Sequence, residues 1–216
     1  MVFEPWVMRF VALSDTHNLH DYVKVPEGDV LLFGGDMCGR GTVAEVKAFG
    51  EFLGRLPHRH KIVIAGNHDW PFELEGESTE EALGDVTYLQ DEECVIEGIK
   101  IYGSPWQPEF CQWAFNLPRG GPLRKVWSKI PDDTQVLITH GPPHGILDLT
   151  FRGMAVGCEA LRERIEELPA LRAHVFGHIH EGYGRYELNR CTFYNASVCD
   201  LYQRDAVNQP WVFELE

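Results

Sequence analysis

Apolar positions along the chain fall in short runs separated by polar stretches, and the runs are of two kinds. Arg9 to Leu13, Val30 to Phe33, Lys61 to Ala65, Lys100 to Tyr102, Gln135 to Ile138 and His174 to Phe176 are brief and rich in β-branched or aromatic residues. That pattern predicts buried strands. Val43 to Leu56 and Cys158 to Leu168 carry their apolar residues at helical spacing, and Pro169 stops the second. Strand and helix in alternation predict an α/β chain of packed layers. Cys94 to Tyr102 turns at Glu97-Gly98 and predicts a hairpin, which mixes antiparallel pairing into the sheet. Cys191 to Asn195 and Trp211 to Leu215 predict further strands.

The richest loop, Ser104 to Pro122, holds Trp106, Phe110, Trp113, Phe115 and Arg119. It is longer than a simple connection needs, and reads equally as a binding loop or as an aromatic cluster sealing the core. At 216 residues, with no repeat and no Pro/Gly-rich linker, the expected organisation is a single domain over 1–216.

Charge narrows the partners. Lys and Arg number 19 against 33 Asp and Glu, leaving a formal charge of −14, which repels long polyanions. Two divalent cations would reverse that field in one cleft only, so small substrates are expected over polymeric nucleic acid. The six cysteines form no C-x-x-C pair, which fits neither a zinc ribbon nor a disulfide scaffold and points to reduced thiols in the cytoplasm. The first fifteen residues lack a basic segment and lead straight into Asp15, so no cleaved signal is expected. No stretch reaches the roughly 18 apolar residues of a membrane span.

The candidate chemistry lies at the ends of the runs. Asp15-Thr16-His17, Gly35-Asp36, Gly66-Asn67-His68-Asp69, Thr139-His140-Gly141 and Gly177-His178-Ile179-His180 each follow an apolar run. Strand ends of an open α/β sheet share one rim, so clusters far apart in sequence can converge on one crevice. Asp and Asn offer oxygen and His offers nitrogen, the donors of a metal site. Asp15, His17, Asp36, Asn67, His140, His178 and His180 are too many ligands for one tetrahedral zinc. They suit two metals bridged by Asp36, at a separation of roughly 3.5 to 4 Å.

The order D-x-H, G-D, G-N-H-D, H-G and G-H-x-H resembles the calcineurin-like metallophosphoesterase superfamily from Asp15 to His180. The segments Ile62 to His68, Tyr102 to Trp106, Thr139 to Pro143 and Phe176 to Gly182 are similar to its metallophosphoesterase domain-containing (MPPED, 239AB-type) branch. The resemblance implies a four-layer αββα sandwich of two mixed β-sheets with a dinuclear site at their shared rim. It implies one metal on Asp15, His17 and His180, a second on Asn67, His140 and His178, and Asp36 shared. It further implies that His68 contacts phosphate and assists the leaving group. Manganese, iron and zinc all suit such ligands, as divalent or mixed-valence ions.

Two such metals sharing a water would lower its pKa enough to supply hydroxide near neutral pH, with His68 as the acid toward the departing oxygen. The expected substrates are small phosphodiesters, cyclic nucleotides in particular, since the branch is associated with them and the aromatic loop can stack a base. A phosphomonoesterase is the nearest alternative. A silent scaffold on the same fold is the alternative of another class, which the complete ligand set disfavours. Asp69 is either an orienter of His68 or a cap before Trp70-Pro71. Cys38 and His144 stand beside the motifs as candidate pocket residues, and Arg119 as a phosphate contact or a surface ion pair. His20, His58, His60 and His174 read as solvated.

Overall fold

The computed structural model describes residues 7–216, so the reading of the N-terminus lies partly outside the described residues. In chain order the elements are β1 (Met8–Leu13), β2 (Val30–Phe33), α1 (Val43–Arg55), β3 (His60–Val63), α2 (Trp70–Leu74), α3 (Glu77–Leu83), β4 (Thr87–Tyr88), β5 (Glu92–Ile96) and β6 (Ile99–Ser104). There follow β7 (Gln107–Pro108), β8 (Asn116–Leu117), α4 (Gly121–Trp127), β9 (Val136–Thr139), α5 (Glu159–Glu166), β10 (Ala173–Phe176), β11 (Gly184–Leu188), β12 (Cys191–Asn195) and β13 (Trp211–Leu215).

Local chemistry explains the boundaries. A capping box starts α1: Thr42 accepts from the Glu45 backbone, and the Glu45 carboxylate accepts from the Thr42 backbone. Cys158 caps α5, its sulfur accepting from Leu161 N at 3.4 Å. The β5–β6 hairpin turns through Glu97 and Gly98, both at positive φ, as a two-residue turn of the right twist requires.

Two mixed sheets result. One has the order β13-β1-β2-β3-β4, with β13 antiparallel at its edge. The other has the order β11-β12-β10-β9-β6-β5, four parallel strands flanked by two antiparallel ones. Alternation along each strand then builds the layers. Phe10, Ala12, Val30, Leu32 and Ile62 of the first sheet meet Ile101, Val136, Ile138, Ala173 and Val175 of the second in a core between the sheets. The opposite face of the first sheet, with Leu31, Phe33 and Val63, packs on Phe49 and Leu53 of α1 and Phe72 of α2. The opposite face of the second, with Leu137, Phe176 and Phe193, packs on Trp127 of α4 and Leu161 of α5. The layers are therefore αββα.

Three histidines expected to be solvated are buried instead. His20 lies against Phe49 and Phe52, with ring centroids at 5.5 and 5.1 Å, and burial lowers its pKa. His58 is buried and its pKa is likewise lowered. His174 points from β10 into the helix layer, where burial lowers its pKa to about 3 and its Nε2 lies 2.8 Å from Thr139 Oγ1. His60 is half-buried at the start of β3. No helix of the described residues is long and apolar enough to cross a membrane. All six cysteines are unpaired.

Candidate metal centre

The parallel strands of both sheets end at one rim, and the sheets are stitched together there. Ser14 N donates to Ala196 O at 2.9 Å, and Val198 N donates to Ser14 O at 3.0 Å. Each of the polar clusters predicted from the sequence stands just beyond a strand at this rim. The backbone there is unusual: Asp15, His17, Asp36 and His178 have φ of 56, 42, 60 and 67°. Side-chain-bearing residues rarely occupy this left-handed region, and its concentration here marks a site whose surroundings enforce the conformation.

Close approach explains two glycines. A Cβ on Gly177 would stand 1.9 Å from Asp15 Oδ2 and 2.3 Å from Ser14 Oγ. One on Gly66 would stand 2.4 Å from Asp36 Oδ1 and 2.6 Å from His140 Cε1. Only bare backbone lets these carboxylates sit where they do.

The imidazoles are aimed by main-chain carbonyls. The Nδ1 of His17, His140 and His180 lies 3.2, 2.9 and 2.8 Å from Cys38 O, Gly34 O and Asp200 O. A carbonyl only accepts, so each Nδ1 carries a proton and Nε2 becomes the inward-facing donor atom. His17 Nε2 and His180 Nε2 stand 3.3 Å apart, with Asp15 Oδ1 3.4 Å from the latter. His140 Nε2 lies 2.9 Å from Asn67 Oδ1 and 3.5 Å from Asp36 Oδ2, and His17 Nε2 lies 3.8 Å from the same Asp36 oxygen. Donor atoms this close need a proton or a metal cation between them.

The electrostatics agree. Burial opposes charge on His140 and His180, yet Asp36 beside the first and Asp15 beside the second raise both to about 9. Burial alone would raise Asp15 and Asp36, but His180 and His140 respectively hold them below the usual carboxylate range. Burial dominates at His17 and His178, lowering them to about 4 and about 3. Donor atoms gather in three groups within 4.8 Å: Asp15, His17 and His180; Asp36, His140 and His178; and His17, Asp36 and His68. The first holds the residues expected of one half-site; the second joins His140 and His178 of the other to Asp36, with Asn67 Oδ1 2.9 Å from His140 Nε2. His68 gives its Nδ1 to Gly39 O at 3.0 Å and stacks on Trp113 with ring centroids 4.4 Å apart.

Asp69 neither caps α2 nor touches the His68 ring. Its carboxylate accepts from the backbone N–H groups of Asp36 and Gly66 at 2.8 Å, Cys38 at 2.9 Å and Met37 at 3.4 Å. It thereby locks the loop after β2 to the loop after β3. Burial, then the neighbouring Asp36, push its carboxyl up to about 6.

Glu45 secures the outer part of the same loop. Its Oε1 accepts from Gly39 N and Arg40 N at 3.3 and 3.0 Å and from Asn18 Nδ2, and its Oε2 accepts from Thr42. Burial would raise its pKa, but these donors lower it to about 2. The folded carboxyl thus binds its proton less tightly than the unfolded one. The stabilisation is complete above the unfolded pKa of about 4.5 and is lost as pH falls through about 2. Melting curves of wild type and Glu45→Gln should therefore differ at pH 6 and converge between pH 4.5 and 2, whereas a gap independent of pH would deny Glu45 this role.

Over the centre opens a cleft of ≈ 790 Å³, which His68, His178 and His180 line together with Phe110, Trp113 and Phe151. The Ser104 to Pro122 loop divides between the two roles expected of it. Phe110 and Trp113 face the cleft, and Phe110 meets the His178 ring at 4.9 Å. Ala114 and Phe115 are buried in the core.

Three candidate pocket residues do not reach the cleft. Trp106 packs on the core layers and donates from Nε1 to Asp91 at 3.2 Å. The Cys38 thiol is buried and its pKa is pushed up, so that only its carbonyl serves the site. His144 is exposed outside the lining. Arg119 lines the cleft, but its guanidinium binds Glu159 at 2.5 Å and the Gly157 and Val156 carbonyls at 2.7 and 2.6 Å.

The sequence reading missed Ser197, whose Oγ donates to Asp15 Oδ2 at 2.9 Å, and Asp200, whose carbonyl aims His180. Both follow β12, so the strand-end rule already applied to the other strands would have found them. Asn195, within a nominal sequon, is buried, with Nδ2 on Ile179 O at 2.8 Å.

Comparison with known proteins places this geometry. Human metallophosphoesterase domain-containing protein 1 is 44% identical over 236 residues, covering 98% of this chain and 72% of that protein. A probable glycerophosphodiester phosphodiesterase, GpdQ, of Arcobacter nitrofigilis is 29% identical over 168 residues, covering 72% of this chain and 58% of that protein. Among solved structures, TT1561 of Thermus thermophilus shares the fold with a TM-score of 0.57 at 14% identity, covering 88% of this chain and 89% of that one. Another reaches a TM-score of 0.70 at 16% identity over 98% of this chain and all of its own. The calcineurin-like phosphoesterase model matches residues 8–182, the span that carries every one of the convergent clusters, and the chain belongs to that family.

Proposed function

We propose that the chain is a two-metal phosphodiesterase acting on small phosphodiesters, cyclic nucleotides among them. One observation carries the reading: inward-facing Nε2 and carboxylate atoms of two half-sites, with Asp36 between them, lie beneath a cleft walled by aromatic rings. Asp15, His17 and His180 would hold one metal, and Asn67, His140 and His178 the other, with Asp36 common to both. Bound there, manganese, iron or zinc would activate water for attack on phosphorus and neutralise charge on the phosphoryl oxygens. The net charge of −14 supports small substrates over nucleic acid polymers. The six unpaired thiols support a reducing compartment such as the cytoplasm.

The remaining work falls to His68. Its Nδ1–H is fixed on Gly39 O and Trp113 holds the ring plane, so that the doubly protonated ring can pass its Nε2 proton to the departing oxygen and keep the Nδ1 proton. His68→Ala should keep both metals while turnover of bis-p-nitrophenyl phosphate falls by about 10² or more. Full metal content with unchanged turnover would remove His68 from the reaction. A panel of 2′,3′- and 3′,5′-cyclic nucleotides, bis-p-nitrophenyl phosphate and p-nitrophenyl phosphate tests the substrate class. Faster turnover of the monoester than of every diester would make the protein a phosphatase.

A further inference from the structure

The cleft's walls differ in character from its floor. Away from the candidate metal ligands they are largely apolar: Phe110 and Trp113 come from the loop between β7 and β8, and Phe151, Met154 and Leu201 from the segments after β9 and β12. Phe151 and Met154 are 67% and 53% exposed, so these large side chains stand open to whatever enters.

The wall's charges are of one free sign. Arg119 is the single Lys or Arg among the described lining residues, and Glu159 and two carbonyls already engage it. Besides Asp36 at the floor, two carboxylates share the lining. Glu181 accepts from Phe151 N at 2.8 Å, and the Glu109 carboxylate has no hydrogen-bond or ion-pair partner among the described residues.

A phosphate monoester carries close to two negative charges at neutral pH, because its second pKa lies near 6, whereas a diester carries one. Metals at the floor would accept one phosphoryl group of either kind. The second charge of a monoester, or any additional phosphate, lies in the field of Glu109 and Glu181 with no free cation among the described wall residues to offset it. An uncharged aromatic or apolar arm, by contrast, gains contact with Phe110 and Trp113 on one side and Phe151 and Met154 on the other.

We infer that the outer wall is a charge and shape filter, in which Glu109 and Phe151 restrict the cleft to singly charged phosphodiesters bearing an aromatic or apolar organic arm. The inference rests on the phosphodiesterase reading and goes beyond it by naming what selects the substrate. Nucleotides with additional phosphates are disfavoured by the same wall.

Three substrates with one leaving group separate the effects. They are p-nitrophenyl phosphate, methyl p-nitrophenyl phosphate and bis-p-nitrophenyl phosphate, which differ in charge and then in arm. Metal-loaded Glu109→Gln should raise the ratio of monoester to methyl-ester kcat/KM by about threefold to tenfold, the scale of one unit charge several ångströms away in a wet cleft. Metal-loaded Phe151→Ala should lower the ratio of bis-ester to methyl-ester kcat/KM by about threefold to tenfold, the scale of lost apolar burial at a half-open site. Ratios unchanged by both variants, in a protein whose wild type prefers diesters, would overturn the filter and leave the phosphodiesterase reading intact. A wild type that prefers the monoester would instead overturn the reading itself. Melting temperatures and metal content of each variant guard against a change caused by misfolding.

Discussion

Replacing Asp36 with Asn is expected to reduce bound metal from two equivalents to one or fewer and to lower kcat by about 10³, the loss of several kcal/mol of charge stabilisation. The reason lies in the two oxygens. Oδ1 accepts from His68 N at 2.8 Å, a bond that an amide oxygen preserves. Oδ2 lies 3.5 Å from His140 Nε2 and 3.8 Å from His17 Nε2, one from each half-site. An amide in that place cannot supply the negative charge that a shared cation, or the His140 imidazolium, requires. The metal-free variant should therefore melt lower than metal-free wild type at neutral pH, because the mutual stabilisation of Asp36 and His140 is lost. Metal analysis, a diester assay and melting with and without chelator measure all three quantities. A variant that kept two metals and activity within tenfold would show that Asp36 is not shared.

Gly177→Ala should be nearly as damaging, by packing instead of charge. The added methyl would have to occupy space 1.9 Å from Asp15 Oδ2 and 2.3 Å from Ser14 Oγ. Neither can retreat easily, because Asp15 is buried and held by Ser197 Oγ at 2.9 Å and by His178 N at 3.0 Å to each oxygen. Overpacking of this kind costs typically about 1–3 kcal/mol, and here it falls on a proposed ligand. The expected result is a melting temperature lower by several degrees, loss of the metal on Asp15, His17 and His180, and kcat at least about 10² below wild type. Retention of two metals at full activity would mean that the strand ends yield far more readily than their hydrogen bonds suggest.

Much of the scaffold was legible because buried parallel strands betray themselves as short apolar runs. Arg9 to Leu13, Val30 to Phe33 and His174 to Phe176 fall within β1, β2 and β10, and the hairpin at Glu97-Gly98 turns as expected. The edge strand β11 and the two-residue strands were not anticipated: β11 is exposed through its middle, and β4, β7 and β8 are too short to carry a period. The helices α2, α3 and α4 were also missed, since five to seven residues scarcely establish a helical face. The division into two sheets came from the family resemblance alone. In the structure it depends on which face each strand turns to its neighbour, a relation between residues far apart in sequence.

The site was legible for a related reason. Strand-end clusters announce a rim, but the wall above it does not. Glu109, Phe151 and Leu201 reach the cleft from loops without regular spacing, and Trp106, within a segment similar to the family, proved to be a core residue anchored on Asp91. His174 misled because imidazole in a short β-run reads as polar, whereas Thr139 supplies the partner that lets it be buried.

The pairing of His17 with His180 also sets the timetable of biogenesis. These residues are 163 positions apart, and the carbonyl that aims His180 belongs to Asp200. During synthesis at about 5–20 residues per second, the Asp15 and His17 side chains emerge on the order of ten seconds before their counterparts exist. The nascent chain therefore exposes half of the proposed Asp15, His17 and His180 half-site, and firm capture of a metal there would follow the emergence of Asp200 from the ribosome. Supply of metal in the surroundings of the newly completed chain, more than during its elongation, would then decide which ion that half-site carries.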